Sequence, residues 1–140
     1  MSLLSPKWWK HRKEHVKPIK GKSARWTTVV FGDYGLKAIT SSYITNRELE
    51  AARKVITRYI KKVGKMRLRV YPRVPITRIG LEMPMGSGKG EVDVYTARVP
   101  RGKVIFEISW LNDAEARTVL IKASKKLSVK ARVLKKWEIR

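Results

Sequence analysis

The sequence predicts an α+β fold, with two helices packed on a mostly antiparallel sheet and an extended basic N-terminal arm. Three observations predict it. The local patterns run ββα, then several strands, then αβ, which segregates helices from strands and favours an antiparallel sheet with helices on one side. Apolar residues alternate in the strand-like runs and recur at three- and four-residue spacing in two stretches. Residues 1–25 hold few aliphatic side chains, two prolines and many cations, a composition that suits an arm ordered by its partner.

The run WTTVVF (Trp26 to Phe31) is β-branched and aromatic and predicts a first strand. GDYG (Gly32 to Gly35) reads as a turn, and LKAITSSYI (Leu36 to Ile44) as a second strand. Thr45 and Glu48 form the T-x-x-E pattern of a capping box, which starts a helix. Leu49, Ala52, Ile56, Tyr59, Ile60 and Val63 give that helix one apolar face, and Gly64 ends it. In KMRLRVY, Met66, Leu68 and Val70 face one way while Arg67, Arg69 and Tyr71 face the other, a half-buried strand with a basic outer face. Three prolines make residues 72–90 a long irregular segment, with a glycine-rich loop at 80–90. EVDVYTARV and KVIFEISW (Lys103 to Trp110) are strands. The second helix begins near Asn112 or Asp113 and buries Ala116, Val119, Leu120, Ala123 and Leu127. VKARVLKKWEI closes the chain as a strand. The expected organisation is an arm over residues 1–25 and a single α+β domain over 26–140.

Charge narrows the function. The 140 residues hold 33 Lys and Arg against 11 Asp and Glu, a formal net charge of +22. A compact chain with that much like charge repels itself until a polyanion neutralises it. Because cations occur in every segment, a partner that covers much of the surface, such as RNA, fits best. The absence of cysteine excludes disulfides, thiolate metal sites and cysteine nucleophiles. No apolar run approaches the roughly 18 residues that span a bilayer, and the basic N-terminus lacks the apolar stretch of a secretory signal, so it reads as part of the mature protein.

Four stretches invite a chemical reading. GSGKG (Gly86 to Gly90) departs from the phosphate loop G-x-x-x-x-G-K-[ST], because Gly90 follows Lys89 and Met83 stands where the first glycine belongs. It also precedes a predicted strand, so no helix N-terminus cradles a nucleotide. It reads either as a flexible connection or as a finger whose amides and Lys89 approach an RNA backbone. His11 and His15 have the i, i+4 spacing of a helical ligand pair, but the cations around them oppose a metal, and no metal or cofactor is expected. Glu48, Glu50, Asp113 and Glu115 lie in first helical turns, where they complement the helix dipole. No carboxylate, His and Ser constellation argues for catalysis. In KWWKHRK, Trp8 and Trp9 either fold back onto the sheet or stack on bases while Lys7, Lys10, Arg12 and Lys13 pair with phosphates. A membrane surface also favours Trp beside Lys, but Pro6 and Pro18 break any amphipathic helix there.

Taken together, these motifs resemble the ribosomal protein L-sixteen family of the large subunit, nearly end to end. LLSPKWWKHRKEHVK is similar to the family's basic opening, FGDYGLKAI to its FG-aromatic-GL-A turn and strand, and MGSGKG to its glycine-rich loop. YITNRELEAARKVITRYIKKVGKMRLRVYPRVPIT resembles its capped helix with IEAAR, its Gly-Lys and its basic strand, and GKVIFEISWL its late strand. Each fragment is weak alone, and five in the same order are specific. The chain departs from the pattern in carrying Trp8 in place of an early Arg, a shortened spacer KPIKGKSARW, and Pro84 where the family carries an Arg before Met-Gly. Whatever contact that Arg makes in relatives is lost here, and Pro84 instead fixes φ ahead of the loop.

The resemblance implies a hammerhead-like α/β sandwich and a structural ribosomal protein, not an enzyme. It implies large-subunit rRNA, tRNA and neighbouring large-subunit proteins as partners, with no membrane and no homo-oligomer. The expected location is the large subunit of cytoplasmic ribosomes, with an organellar ribosome as the alternative. Residues expected against rRNA are Lys7, Trp8, Trp9, Lys10, His11, Arg12, Lys13, Lys17, Lys20, Lys22, Arg25, Arg67 and Arg69. Met85, Gly86, Ser87, Gly88, Lys89 and Gly90 are expected to approach A-site tRNA and the peptidyl-transferase region, with P-site tRNA within reach. The competing class is an RNA-modifying or nucleotide-dependent RNA-binding factor, which only GSGKG supports.

Overall fold

The computed structural model describes residues 4–60 and 63–138. The elements run β1 (Tyr34–Ala38), β2 (Ser42–Thr45), α1 (Asn46–Ile60), β3 (Lys65–Leu68), β4 (Val74–Arg78), β5 (Glu91–Val99), β6 (Val104–Ser109), α2 (Asp113–Ser124) and β7 (Ala131–Lys135). They form two sheets, ordered β3-β6-β1-β7 and β2-β5-β4, with each pairing antiparallel. The fold is α+β, as the segregation of helices from strands predicts.

The core joins the helices to the sheets. Leu49, Ala52, Ile56 and Ile60 of α1 and Ala116, Val119, Leu120 and Ala123 of α2 are buried with Leu36, Ala38, Ala97, Val99, Ile105, Phe106 and Ile108 of the strands. Tyr59 and Val63, expected on this apolar face, are exposed instead. Val63 lies beyond the end of α1, so helical spacing no longer aims it inward. Helix α1 opens as the capping box predicts. The Thr45 amide donates to Glu48 Oε2 at 2.9 Å, and the Glu48 amide donates to Thr45 Oγ1 at 3.2 Å.

The single strand expected over Leu36 to Ile44 is two strands in different sheets. Hydroxyls make the corner. Thr40 Oγ1 accepts the Lys130 amide at 3.0 Å, and Ser41 Oγ accepts the Arg101 amide at 2.8 Å. Such side chains offer the backbone partners outside a ladder. The expected turn GDYG is likewise half strand, since Tyr34 and Gly35 open β1.

WTTVVF is not a strand. Its backbone is claimed by a carboxylate: Glu107 in β6 is fully buried and accepts the amides of Val30 at 3.2 Å, Phe31 at 2.6 Å and Gly32 at 2.9 Å. Arg69 Nη1 completes the shell of Glu107 as an ion pair. Gly32 is required by close approach, because a Cβ there would lie 2.5 Å from the Ile108 carbonyl oxygen. The segment thus covers the sheet face that carries Gly35 and Glu107, with its own Val29 buried against Gly35.

The segment expected to be irregular holds β4. Pro75 lacks an N–H, and it is tolerated because β4 is an edge strand of its sheet. The final strand is shorter than expected, and Ile139 lies outside the described residues.

Candidate nucleic-acid interface

Two regions that sequence alone could not connect are bound to each other. Lys89, at the end of the glycine-rich loop, donates its ammonium to the Glu14 carbonyl at 2.6 Å. In return Lys13 Nζ donates to the Lys89 carbonyl at 2.9 Å and pairs with Glu91 Oε1 at 3.3 Å. Further along, Tyr43 Oη donates to the Lys17 carbonyl, Arg98 Nη2 reaches the Pro18 carbonyl at 3.5 Å, and the Ser23 amide donates to the Arg101 carbonyl at 3.0 Å. The N-terminal segment from Lys13 to Ser23 therefore runs beside the sheet that holds β2 and β5. It contains neither helix nor named strand, only a parallel bridge between Lys22 and Arg101. His11 and His15 both lie in non-helical backbone, so the one-face geometry that their spacing would give on a helix does not form.

The loop itself is open. Leu81 to Lys89 are all exposed. Gly86, Ser87 and Gly88 have φ values of +137°, +56° and +103°, in the left-handed region that glycine reaches at little cost. No atom would obstruct a Cβ at Gly86 or Gly88, so backbone conformation, not crowding, calls for glycine there. The loop leads directly into β5, a strand, and offers no helix N-terminus to a nucleotide.

The expected contact residues fall into three groups. Lys7, Trp8, Trp9, Lys10, His11 and Arg12 are exposed, Trp8 at 80% and Trp9 at 37%. Trp8 is therefore not core material, whereas Trp9 borders a recess of about 390 Å3 with Glu14, His15, Lys17, Tyr43 and Arg98. Lys20, Lys22 and Arg25 line a second groove, of about 650 Å3. Arg67 and Arg69 flank Phe31, their guanidinium groups 5.0 and 5.1 Å from the centre of its ring, and Arg69 also lines the second groove. Arg67 is exposed, while Arg69 spends its charge on Glu107 inside the fold.

Sequence reading missed Arg73, Arg98 and Lys103. Arg73 and Arg98 border both recesses and join them into one basic surface. Burial, reinforced by Arg73 and Arg69, holds the Lys103 ammonium below the usual lysine value. The basic residue density around them was visible, but their convergence depends on β4, β5 and the N-terminal segment meeting, which no local pattern reports.

The α+β fold presents a cationic surface and an open glycine-rich loop that suit a polyanionic partner. Comparison with known proteins gives the family. The profile described as ribosomal protein L16p/L10e matches residues 6–134, and the chain belongs to that family. It is similar to the large ribosomal subunit protein uL16 of Mycobacteroides abscessus, 44% identical over 97% of this chain and 99% of the relative. The proteins of the same name from Clavibacter michiganensis and Streptomyces avermitilis are 42% and 43% identical over 97% and 96% of this chain, and 98% and 96% of their own lengths. The chain is thus a structural ribosomal protein, not an enzyme.

Proposed function

We propose that this chain is built into the large ribosomal subunit of bacterial cytoplasmic ribosomes, binds large-subunit rRNA and helps organise the aminoacyl-tRNA site. The N-terminal segment and the basic surface around Arg73 and Arg98 take rRNA phosphates. Met85 to Gly90 face A-site tRNA, with P-site tRNA within reach. Neighbouring large-subunit proteins complete its surroundings, and it acts as one copy. The 1–25 segment serves as an RNA-bound arm on the domain formed by residues 26–140.

The observation that carries this reading is the mutual lashing of Lys13, Glu14 and Lys89, which sets the open loop beside the cationic N-terminal segment. Binding of the free protein to large-subunit rRNA should weaken steeply with salt, because each phosphate contact releases counterions. For roughly six contacts the slope of log affinity against log salt is about −4 to −6. A slope near zero contradicts the reading. The tRNA contact has its own test. The chain has no cysteine, so Ser87→Cys gives a unique attachment point for a photocrosslinker. In assembled ribosomes it should crosslink to A-site tRNA, and crosslinks to rRNA alone would remove the tRNA part.

A further inference from the structure

The groove of about 650 Å3 between the N-terminal segment and β5 has a chemistry of its own. Lys20, Lys22, Arg25, Arg73, Arg98 and Lys103 line it beside the Glu107-paired Arg69, and no carboxylate among the described residues does. Trp26 stands in its wall, 56% exposed, with Tyr71 also exposed nearby. An indole so placed forgoes the burial that tryptophan usually obtains.

The backbone fixes Trp26 in that position. Its φ is +60°, a left-handed conformation that a bulky residue rarely adopts. Its carbonyl accepts the Val104 amide at 2.9 Å, which anchors it to the first residue of β6. Lys103 Nζ sits 4.7 Å from the ring centre, so an ammonium and an aromatic surface are presented together. An anchored, exposed aromatic beside cations that, Arg69 aside, form no ion pair among the described residues suits recognition of an unstacked base with its phosphates.

We propose that this groove is a binding site for an unpaired RNA nucleotide, whose base stacks on Trp26 and whose flanking phosphates lie against Lys20, Arg73, Arg98 and Lys103. The site deepens the RNA-binding reading above and rests on it. It selects a bulge or single-stranded junction over a continuous duplex, because a paired base keeps its faces covered by its own stack.

The test uses two labelled RNA hairpins, one with a single unpaired adenine in its stem and one fully paired, titrated by fluorescence anisotropy at about 0.15 M ionic strength. The unmodified protein should favour the bulged hairpin about 10-fold, the scale of one base-aromatic stack. Trp26→Ala should erase the preference while leaving affinity for the paired hairpin nearly unchanged, and a cooperative thermal unfolding transition shows that the variant folds. Trp26→Phe should keep most of the preference. Arg98→Gln should weaken both hairpins alike. A preference that survives Trp26→Ala overturns the proposal, as does equal, salt-sensitive binding of both hairpins by the unmodified protein, which leaves general RNA binding standing. Failure to bind either hairpin at low salt overturns both readings. Displacement by polyglutamate, with Trp26→Ala binding the bulged hairpin as the unmodified protein does, would assign the groove to an acidic protein segment instead.

Discussion

At the residue scale, Glu107 is the most consequential side chain. It is the centre of a buried cluster that holds Arg69 and three successive backbone amides. Removing one partner of a buried ion pair leaves the other uncompensated, which costs about 3–5 kcal/mol. Glu107→Ala should therefore destabilise by that amount in urea unfolding, and Glu107→Gln by less, because the amide oxygen still accepts. A loss below about 1 kcal/mol would show that the carboxylate does not hold the 30–32 segment. The sequence carried a signal here, since a carboxylate inside the apolar run VIFEIS needs partners if buried. What it did not carry was their identity, because Val30 lies 77 positions away. The same distance problem hid Lys13 from Lys89, whereas the loop's glycine chemistry was legible in MGSGKG itself.

At the element scale, local signals were dependable where neighbours in sequence settle the outcome. The capping box of Thr45 and Glu48 forms as read, and Thr45→Ala should cost about 1 kcal/mol, while Thr45→Ser should be nearly silent. Equal losses for both variants, measured by thermal unfolding, would exclude the hydroxyl as the cause. Strands β3, β5 and β6 followed from alternation and β-branched content. The misreadings have tertiary causes. β-Branched composition suggested a strand at Trp26 to Phe31, but Glu107 took its amides. Proline suggested a loop at β4, but an edge strand spares the missing N–H. Gly32→Ala should be strongly destabilising, because the new methyl meets backbone and not a movable side chain, and its effect should exceed that of Gly86→Ala in the open loop.

At the scale of the whole molecule, charge sets the behaviour. Burial lowers the proton affinity of Lys103 and Lys37 below the ordinary value of 10.5, with neighbouring arginines adding to it. The unfolded chain then binds more protons than the folded one between the folded values and 10.5, so folded stability rises with pH through that window. Lys135, and then Arg117, lower the Asp113 carboxyl, and Arg53 lowers that of Glu50. Their contribution is present above the ordinary carboxylate range and is lost as pH falls through the lowered values. The free protein should therefore melt higher as pH rises toward 10.5 than at pH 7, and lower as pH falls below the ordinary carboxylate range. A flat or inverted profile from differential scanning fluorimetry at fixed salt would contradict these directions. The net charge of +22 adds self-repulsion that RNA relieves, so binding should also raise the melting temperature.

This charge and the surface formed by the N-terminal segment, the glycine-rich loop and the joined basic grooves should together hold the protein in the large ribosomal subunit. The decisive measurement is to tag the protein in cells, separate lysate on a sucrose gradient and wash the particles in high salt. The tag should stay with large subunits and assembled ribosomes through the wash, and lose occupancy when Lys13, Arg73, Arg98 and Lys89 are replaced together by Gln. A tag that remains at the top of the gradient under gentle conditions would contradict the claim.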